Sequence, residues 1–181
     1  MKIAKQMIAV AMSIAMCGCG GTKSDNPLFN DFSAPFGIAP FSEITIENYR
    51  EGLLKGMEEQ KAEIEAIVAN TQAPTFENTI EALDKSGELL SKVRGTFSPL
   101  SSSNSTEETR ALEKELSPLF TSHSDDMYMN EKLFAKVKSV YDSQEGLNLN
   151  AEQKKVLENI YKRFVKSGAE LNAEQKAKLR E

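Results

Sequence analysis

Ala73-Pro74-Thr75-Phe76-Glu77-Asn78-Thr79-Ile80-Glu81-Ala82-Leu83-Asp84-Lys85-Ser86-Gly87 is the stretch from which the fold class follows. Pro74 disfavours helical geometry in Ala73 and so ends the preceding element, after which the Thr75 hydroxyl can accept from an orphan amide of a new helix. Glu77 suits the positive end of that helix's dipole. Phe76, Ile80, Leu83, Gly87, Leu90, Arg94 and Phe97 recur in steps of four and three. That spacing predicts one long helix with a single inward stripe, interrupted only at Arg94. Gly87 in the stripe costs about 1 kcal/mol of helix propensity against Ala, which argues that a neighbouring helix presses close there.

Outward from this stretch the same period recurs. On its N-terminal side, Ile46, Tyr49, Leu53, Gly56 or Met57, Ile64 and Ile67 predict a helix from about Thr45 to Asn70, with Glu58-Glu59-Gln60-Lys61 as a solvated middle. On its C-terminal side, Pro99 and the Ser101–Ser105 cluster are expected to stop the long helix near Phe97. Ser105 with Glu108 then reads as a capping box for a helix carrying Leu112, Leu116, Leu119, Phe120, His123 and Met127, in which Pro118 predicts a kink or short break. Asn130 caps a further helix through Leu133, Phe134, Val137 and Tyr141, ending before Gly146.

Leu149-Asn150-Ala151-Glu152-Gln153-Lys154 and Leu171-Asn172-Ala173-Glu174-Gln175-Lys176 are near-identical, each placing Gln three residues after Asn. Both read as helix starts. Two copies are too few for a solenoid, which needs about three units. Between them Val156, Leu157, Ile160, Phe164 and Val165 form an apolar face that Gly168 terminates. Leu179 continues the pattern to Glu181 without a cap, which reads as a truncated end. No stretch alternates as a strand does, so the class is all-α: an antiparallel array of about five to six helices.

The first 40 residues follow different rules. Residues 1–18 have a basic start at Lys2 and Lys5 and a short apolar run from Met7 to Met16, the layout of an export signal. That run is too short to span a bilayer, which takes about 20 apolar residues. Met16-Cys17-Gly18-Cys19-Gly20-Gly21 resembles a bacterial lipoprotein signal, with Cys19 the expected lipid-bearing residue and Cys17 the alternative. A lipid there would anchor the chain to a membrane on the periplasmic side of the envelope rather than make it span. Residues 19–40 read as a tether whose Leu28, Phe29, Phe32, Phe36, Ile38 and, just beyond, Phe41 are expected to pin into grooves of a helical body spanning residues 41–181.

Charge and residue counts exclude much chemistry. The chain carries a net charge of −5, and loss of residues 1–18 with their two lysines makes it more negative, which argues against nucleic acid as a partner. With one His and two Cys, no H-E-x-x-H zinc site can form, and C-x-C offers half a metal site at most. His123 reads as a packing residue. Ser122, His123 and Asp125 cannot converge from one helix, and Glu58-Glu59 and Asp125-Asp126 read as solvated acids. No residue is assigned a catalytic or metal-binding role.

Pro74 to Ile80 with Ala82-Leu83 and Ser86-Gly87 resembles the amino-terminal signature of the thimet oligopeptidase and peptidyl-dipeptidase family of zinc metallopeptidases. Pro40-Phe41, Ile44, Tyr49, Gly56-Met57, Asn130-Glu131-Lys132-Leu133-Phe134 and Phe164-Val165-Lys166-Ser167-Gly168-Ala169-Glu170-Leu171 occur in the family's order. The resemblance runs from Asn26 to Glu181 and is closest to bacterial enzymes of the dipeptidyl carboxypeptidase type. It implies a longer two-lobed helical enzyme with a deep channel admitting short peptides, and zinc held by two His and a Glu that no residue here matches. It also implies that this chain alone is inactive. His123 aligns with a His of the family's amino-terminal region. A stand-alone helical lipoprotein that binds peptides or acts as a scaffold is the alternative.

Overall fold

The computed structural model describes residues 24–171 and 174–175. The export signal, Cys17, Cys19, the second Asn cap at Asn172 and Leu179 lie outside the described residues. All regular structure among the described residues is helical.

The longest element is α1, Ile46–Ala69, capped as expected by Thr45 and ended at Asn70. Thr45 and Asn48 exchange hydrogen bonds across the first turn, satisfying two otherwise orphan donors. Tyr49, Leu53, Met57, Ile64 and Ile67 are buried along α1. Two core clusters share this helix. One gathers Leu28, Tyr49, Leu53, Met57, Leu90, Val93, Phe97, Leu112 and Leu116. The other gathers Ile64, Ile67, Phe76, Ile80, Leu83, Leu133, Phe134, Val137, Leu157 and Phe164. The division between them falls near Gln60.

The long helix expected from Phe76 to Phe97 is two helices. Thr75 caps a π-helical turn, Phe76–Glu81, that passes into a short α2, Ala82–Lys85. The chain then breaks at Ser86, which is extended, and Gly87, which is left-handed at φ 76°. The second helix, α3, Glu88–Ser103, begins after that break. The reason lies across the interface: a Cβ at Gly87 would meet Gln60 Nε2 at 2.4 Å, so glycine serves both the turn and a close approach. The close approach expected at Gly87 is therefore real, but it acts through a helix break.

Helix α3 also overruns its expected stop, continuing past Pro99 to Ser103. Pro99 lies on the exposed side, while Ser101 turns inward and donates to Glu113 Oε1 of the next helix. Helices α1 and α3 run antiparallel, with Gly56 beside Leu90, Gly52 beside Val93, and Tyr49 and Phe97 ring centroids 5.1 Å apart. A Cβ at Gly56 would lie 2.7 Å from the Leu90 backbone. Glycines four apart thus let α3 lie against α1.

Helix α4, Glu107–Tyr128, starts one residue later than expected, because Thr106 and Thr109 form the capping box rather than Ser105 and Glu108. It passes through Pro118 as one helix. Asn130 caps α5, Glu131–Asp142, and Asn150 with Gln153 caps α6, Ala151–Lys166, both as expected. Gly168, at φ 86°, ends α6 while Ala169 N–H returns to Phe164 O, the closure expected of a C-terminal glycine. Tyr141 stacks on Tyr161 at 3.9 Å and Phe134 on Phe164 at 5.8 Å, tying α5 to α6.

The strap before α1 is pinned only in part. Leu28 is completely buried, and Lys55 and Lys92 lie over the Phe29 and Phe32 rings at 4.4 and 4.5 Å. Phe36, Ile38 and Phe41, expected to pin as well, are exposed. They lie beyond the groove between α1 and α3 that receives Leu28.

Candidate functional site

Where the two cores meet, Gln60 joins three elements. Its Oε1 lies 2.8 Å from His123 Nε2 of α4, and its Nε2 donates to Ser86 O and Oγ at 3.3 and 3.4 Å. The amide oxygen can only accept, so His123 carries its proton on Nε2. One turn along α1, Glu63 Oε2 accepts the Gly87 N–H at 2.7 Å, satisfying the first amide after the break. Ser86 Oγ donates to Leu83 O at 2.8 Å. The expectation of a solvated middle for α1 holds for the exposed Glu58, Glu59 and Lys61 and fails for Gln60.

Burial holds the His123 imidazole below its ordinary pKa, aided by Lys61 and opposed by Asp126. The neutral ring suits its role as a donor to Gln60. His123 thus packs as expected, and the Ser122-His123-Asp125 set is not brought together as a site: the hydrogen bond of the imidazole runs to Gln60, and Ser122 faces solvent. No nucleophile and base stand paired in this junction.

Beyond the junction opens a cleft of about 350 Å³ lined by residues that include Gln60, Asp84, Ser86, Tyr128, Asn159 and Arg163. Leu83, Met127, Val156 and Ile160 supply its apolar part. The Arg163 guanidinium lies 4.7 Å from the Tyr128 ring centroid, and that ring meets Phe164 edge-on at 5.1 Å. Burial raises the Tyr128 pKa, with Arg163 opposing. Arg163 forms no ion pair among the described residues. A guanidinium with free donors beside an apolar wall can hold a carboxylate or a carbonyl. It can bind, but it brings no hydrolytic chemistry.

Neither Gln60 nor Arg163 stands out in the sequence. Gln60 sits in a polar run, and Arg163 is one cation in the last turn of α6. The available signal was the Ser86-Gly87 pair, which marks the break that Gln60 bridges.

Among the described residues no three His, Cys, Asp or Glu side chains are grouped to hold a metal ion. No helix among them is long and apolar enough to cross a membrane.

Comparison with known proteins accounts for this helical arrangement. Residues 51–176 match the model of the neurolysin/thimet oligopeptidase N-terminal domain. The chain is 37% identical over 155 residues to the dipeptidyl carboxypeptidase of Escherichia coli and 36% identical over 157 residues to that of Salmonella typhimurium. These alignments cover 86% and 87% of this chain and 23% of each relative. Oligopeptidase A of Salmonella typhimurium is 28% identical over 150 residues, covering 83% of this chain and 22% of the relative. The chain therefore spans about a quarter of the length of the curated relatives it matches, and it belongs to the thimet oligopeptidase and peptidyl-dipeptidase family, of which it carries the N-terminal helical domain.

Proposed function

We propose that this domain serves an exported zinc peptidase that removes dipeptides from the C-termini of short peptides, and that the 181-residue chain has no hydrolytic activity of its own. The observation that carries the reading is the higher identity to dipeptidyl carboxypeptidases, 37% over 155 residues, than to oligopeptidase A, 28% over 150 residues.

The test compares the 181-residue chain with the polypeptide from the complete reading frame on an N-blocked tetrapeptide. The longer polypeptide is expected to release the C-terminal dipeptide, to lose activity to a chelator and to regain it with zinc. The shorter chain is expected to release nothing. Release by the shorter chain would refute its inactivity, and cleavage within longer peptides would move the reading toward the oligopeptidase A type.

Export rests on the layout of residues 1–19. Radiolabelled palmitate is expected in the product and is expected to be lost in Cys19→Ser; loss in Cys17→Ser alone would reassign the lipid to Cys17. A second reading, a peptide-binding module that works without hydrolysis, is favoured by the open cleft beside Arg163. Fluorescence anisotropy of a labelled peptide separates the two, since a module binds as the isolated chain and loses affinity in Arg163→Ala.

A further inference from the structure

The exposed apolar residues of the strap have no role inside this domain. Phe36 has a relative exposure of 101%, Ile38 of 55% and Phe41 of 46%. These three fall within six residues of one loop.

Backbone strain accompanies the exposure. Phe36 is left-handed, at φ 62° and ψ 16°, and is the only non-glycine residue with positive φ among those described. A bulky side chain is a genuine outlier there. Strain of this kind persists where the surroundings dictate it or where a function uses it. Within this domain the bend directs a phenyl ring into water, which recovers nothing. The loop nevertheless has a defined shape: Pro35 sets its start, Gly37 N–H returns to Ala34 O, Phe41 N–H to Ala39 O and Glu43 N–H to Pro40 O, and Ala39 is buried as its foot. It is a held prong whose tip lacks a cover.

Beside the prong lies a hollow of about 550 Å³ whose described lining includes Asp25, Asp31 and Glu43 along with Phe32 and Ile38, with Lys92 Nζ reaching its edge at Asn30 O and the Phe32 ring. Three carboxylates against one lysine beside Ile38 disfavour an anionic bilayer, whose headgroups attract cations. They suit a protein surface with an apolar socket and a basic rim. The relatives supply the natural source of such a surface, since about three quarters of their length lies outside the part this chain matches.

We propose that the Pro35–Phe41 prong is a docking surface for the catalytic part of the longer polypeptide, which receives Phe36, Ile38 and Phe41 in an apolar socket ringed by Lys or Arg. This rests on the reading of the chain as the N-terminal domain of a longer peptidase. The contact fixes the first strap of the domain against the part that carries the chemistry, so its loss changes how the two parts are held together.

The test uses the polypeptide from the complete reading frame, made without residues 1–19, with Ile38→Cys as a reporter. Its alkylation rate by a small maleimide, read by mass spectrometry of the peptide containing residue 38, is compared with the rate in the 181-residue chain made the same way. Protection of at least tenfold in the longer polypeptide is expected, independent of protein concentration. The double substitution Phe36→Ser and Phe41→Ser is expected to abolish that protection while leaving the circular dichroism of the shorter chain unchanged, since both rings are solvent-exposed there. Equal alkylation in both polypeptides would overturn the proposal while leaving the domain reading intact. Protection that grows with protein concentration would assign the surface to a second copy and overturn it too. A reading frame with no peptidase region after this domain would remove the functional reading itself, a result visible before any labelling.

Discussion

Gly87 shows how much one residue decides. It combines a left-handed backbone with a site where a Cβ would strike Gln60 at 2.4 Å. Gly87→Ala is expected to destabilise the domain by about 1–3 kcal/mol, combining backbone strain with displacement of the Gln60 amide; urea denaturation followed by circular dichroism measures it. Tyr49 is the opposite case. Its hydroxyl is buried with no hydrogen-bond partner among the described residues, while the nearby Thr96 hydroxyl donates to Val93 O at 2.9 Å. Burial raises its pKa, with the Thr96 hydroxyl opposing. An unpartnered buried hydroxyl costs about 1–3 kcal/mol, so Tyr49→Phe is expected to be neutral or to stabilise, and a clear loss in the same denaturation experiment would contradict the orphaned hydroxyl. His123 gives a pH signature. Its folded pKa is held below the ordinary value by burial, so the unfolded chain binds the extra proton first and stability falls as pH drops below about 6.5. As the chain has one His, its ring resonances report the folded pKa directly in an NMR titration, and the stability loss between pH 7 and 5 is expected to shrink in His123→Gln.

At the scale of elements, caps and glycines carry the design. The Thr45, Thr75, Thr106 and Asn150 boxes each close a helix start with reciprocal hydrogen bonds. Two further glycines, Gly52 and Gly56, set the approach of α3 to α1. Gly56→Ala is expected to cost about 1–3 kcal/mol, as overpacking does, because its Cβ would meet the backbone of Leu90 at 2.7 Å rather than the movable end of a side chain. A melting temperature equal to that of the parent would refute that reading. Helix α3, which runs on through Pro99, shows why a stop read from a single residue fails, and α4 continues past Pro118 without a break. Each proline is exposed on its helix, and the buried residues on either side, Phe97 and Ser101 for the first and Leu112 and Leu116 before the second, hold the helix in place. Burial of a large apolar side chain is worth about 1.5–3 kcal/mol, enough across two or three such residues to offset the roughly 3 kcal/mol that an interior proline costs.

Across the whole molecule, α1 links two cores, and Gln60 lies at their division with hydrogen bonds into α4 and into the α2–α3 break. Gln60→Ala is expected to lower stability by about 1–3 kcal/mol by removing the partner of His123 Nε2 and of the Ser86 carbonyl. Hydrogen exchange is expected to speed up at the amides around Gly87 first. Uniform acceleration over both cores would instead mean that Gln60 does not hold the junction. Ion pairs add little to this picture. Glu158 sits between Lys155 and Lys162, whose hydrogen bonds lower its pKa to about 2, but both lysines are exposed and the pairing is screened by salt.

The all-α class, the bounds of α1, the caps at Thr45, Thr75, Asn130 and Asn150, the stop at Gly168 and the family were legible in the residues alone. The family was read from a resemblance of motifs; each of the others depends on contacts within a turn or on the period of an apolar stripe, and both are written locally. The break at Ser86–Gly87, the hub at Gln60, the cleft at Arg163 and the exposed prong at Phe36 were not. A stripe with steps of four and three looks the same whether the helix is whole or broken. The Gln60 and Glu63 side chains, 26 residues before Ser86 and 24 before Gly87, hold the left-handed turn in place. Local chemistry decided which segments become helices, and the packing of distant side chains decided where those helices break and which surfaces they leave for a partner.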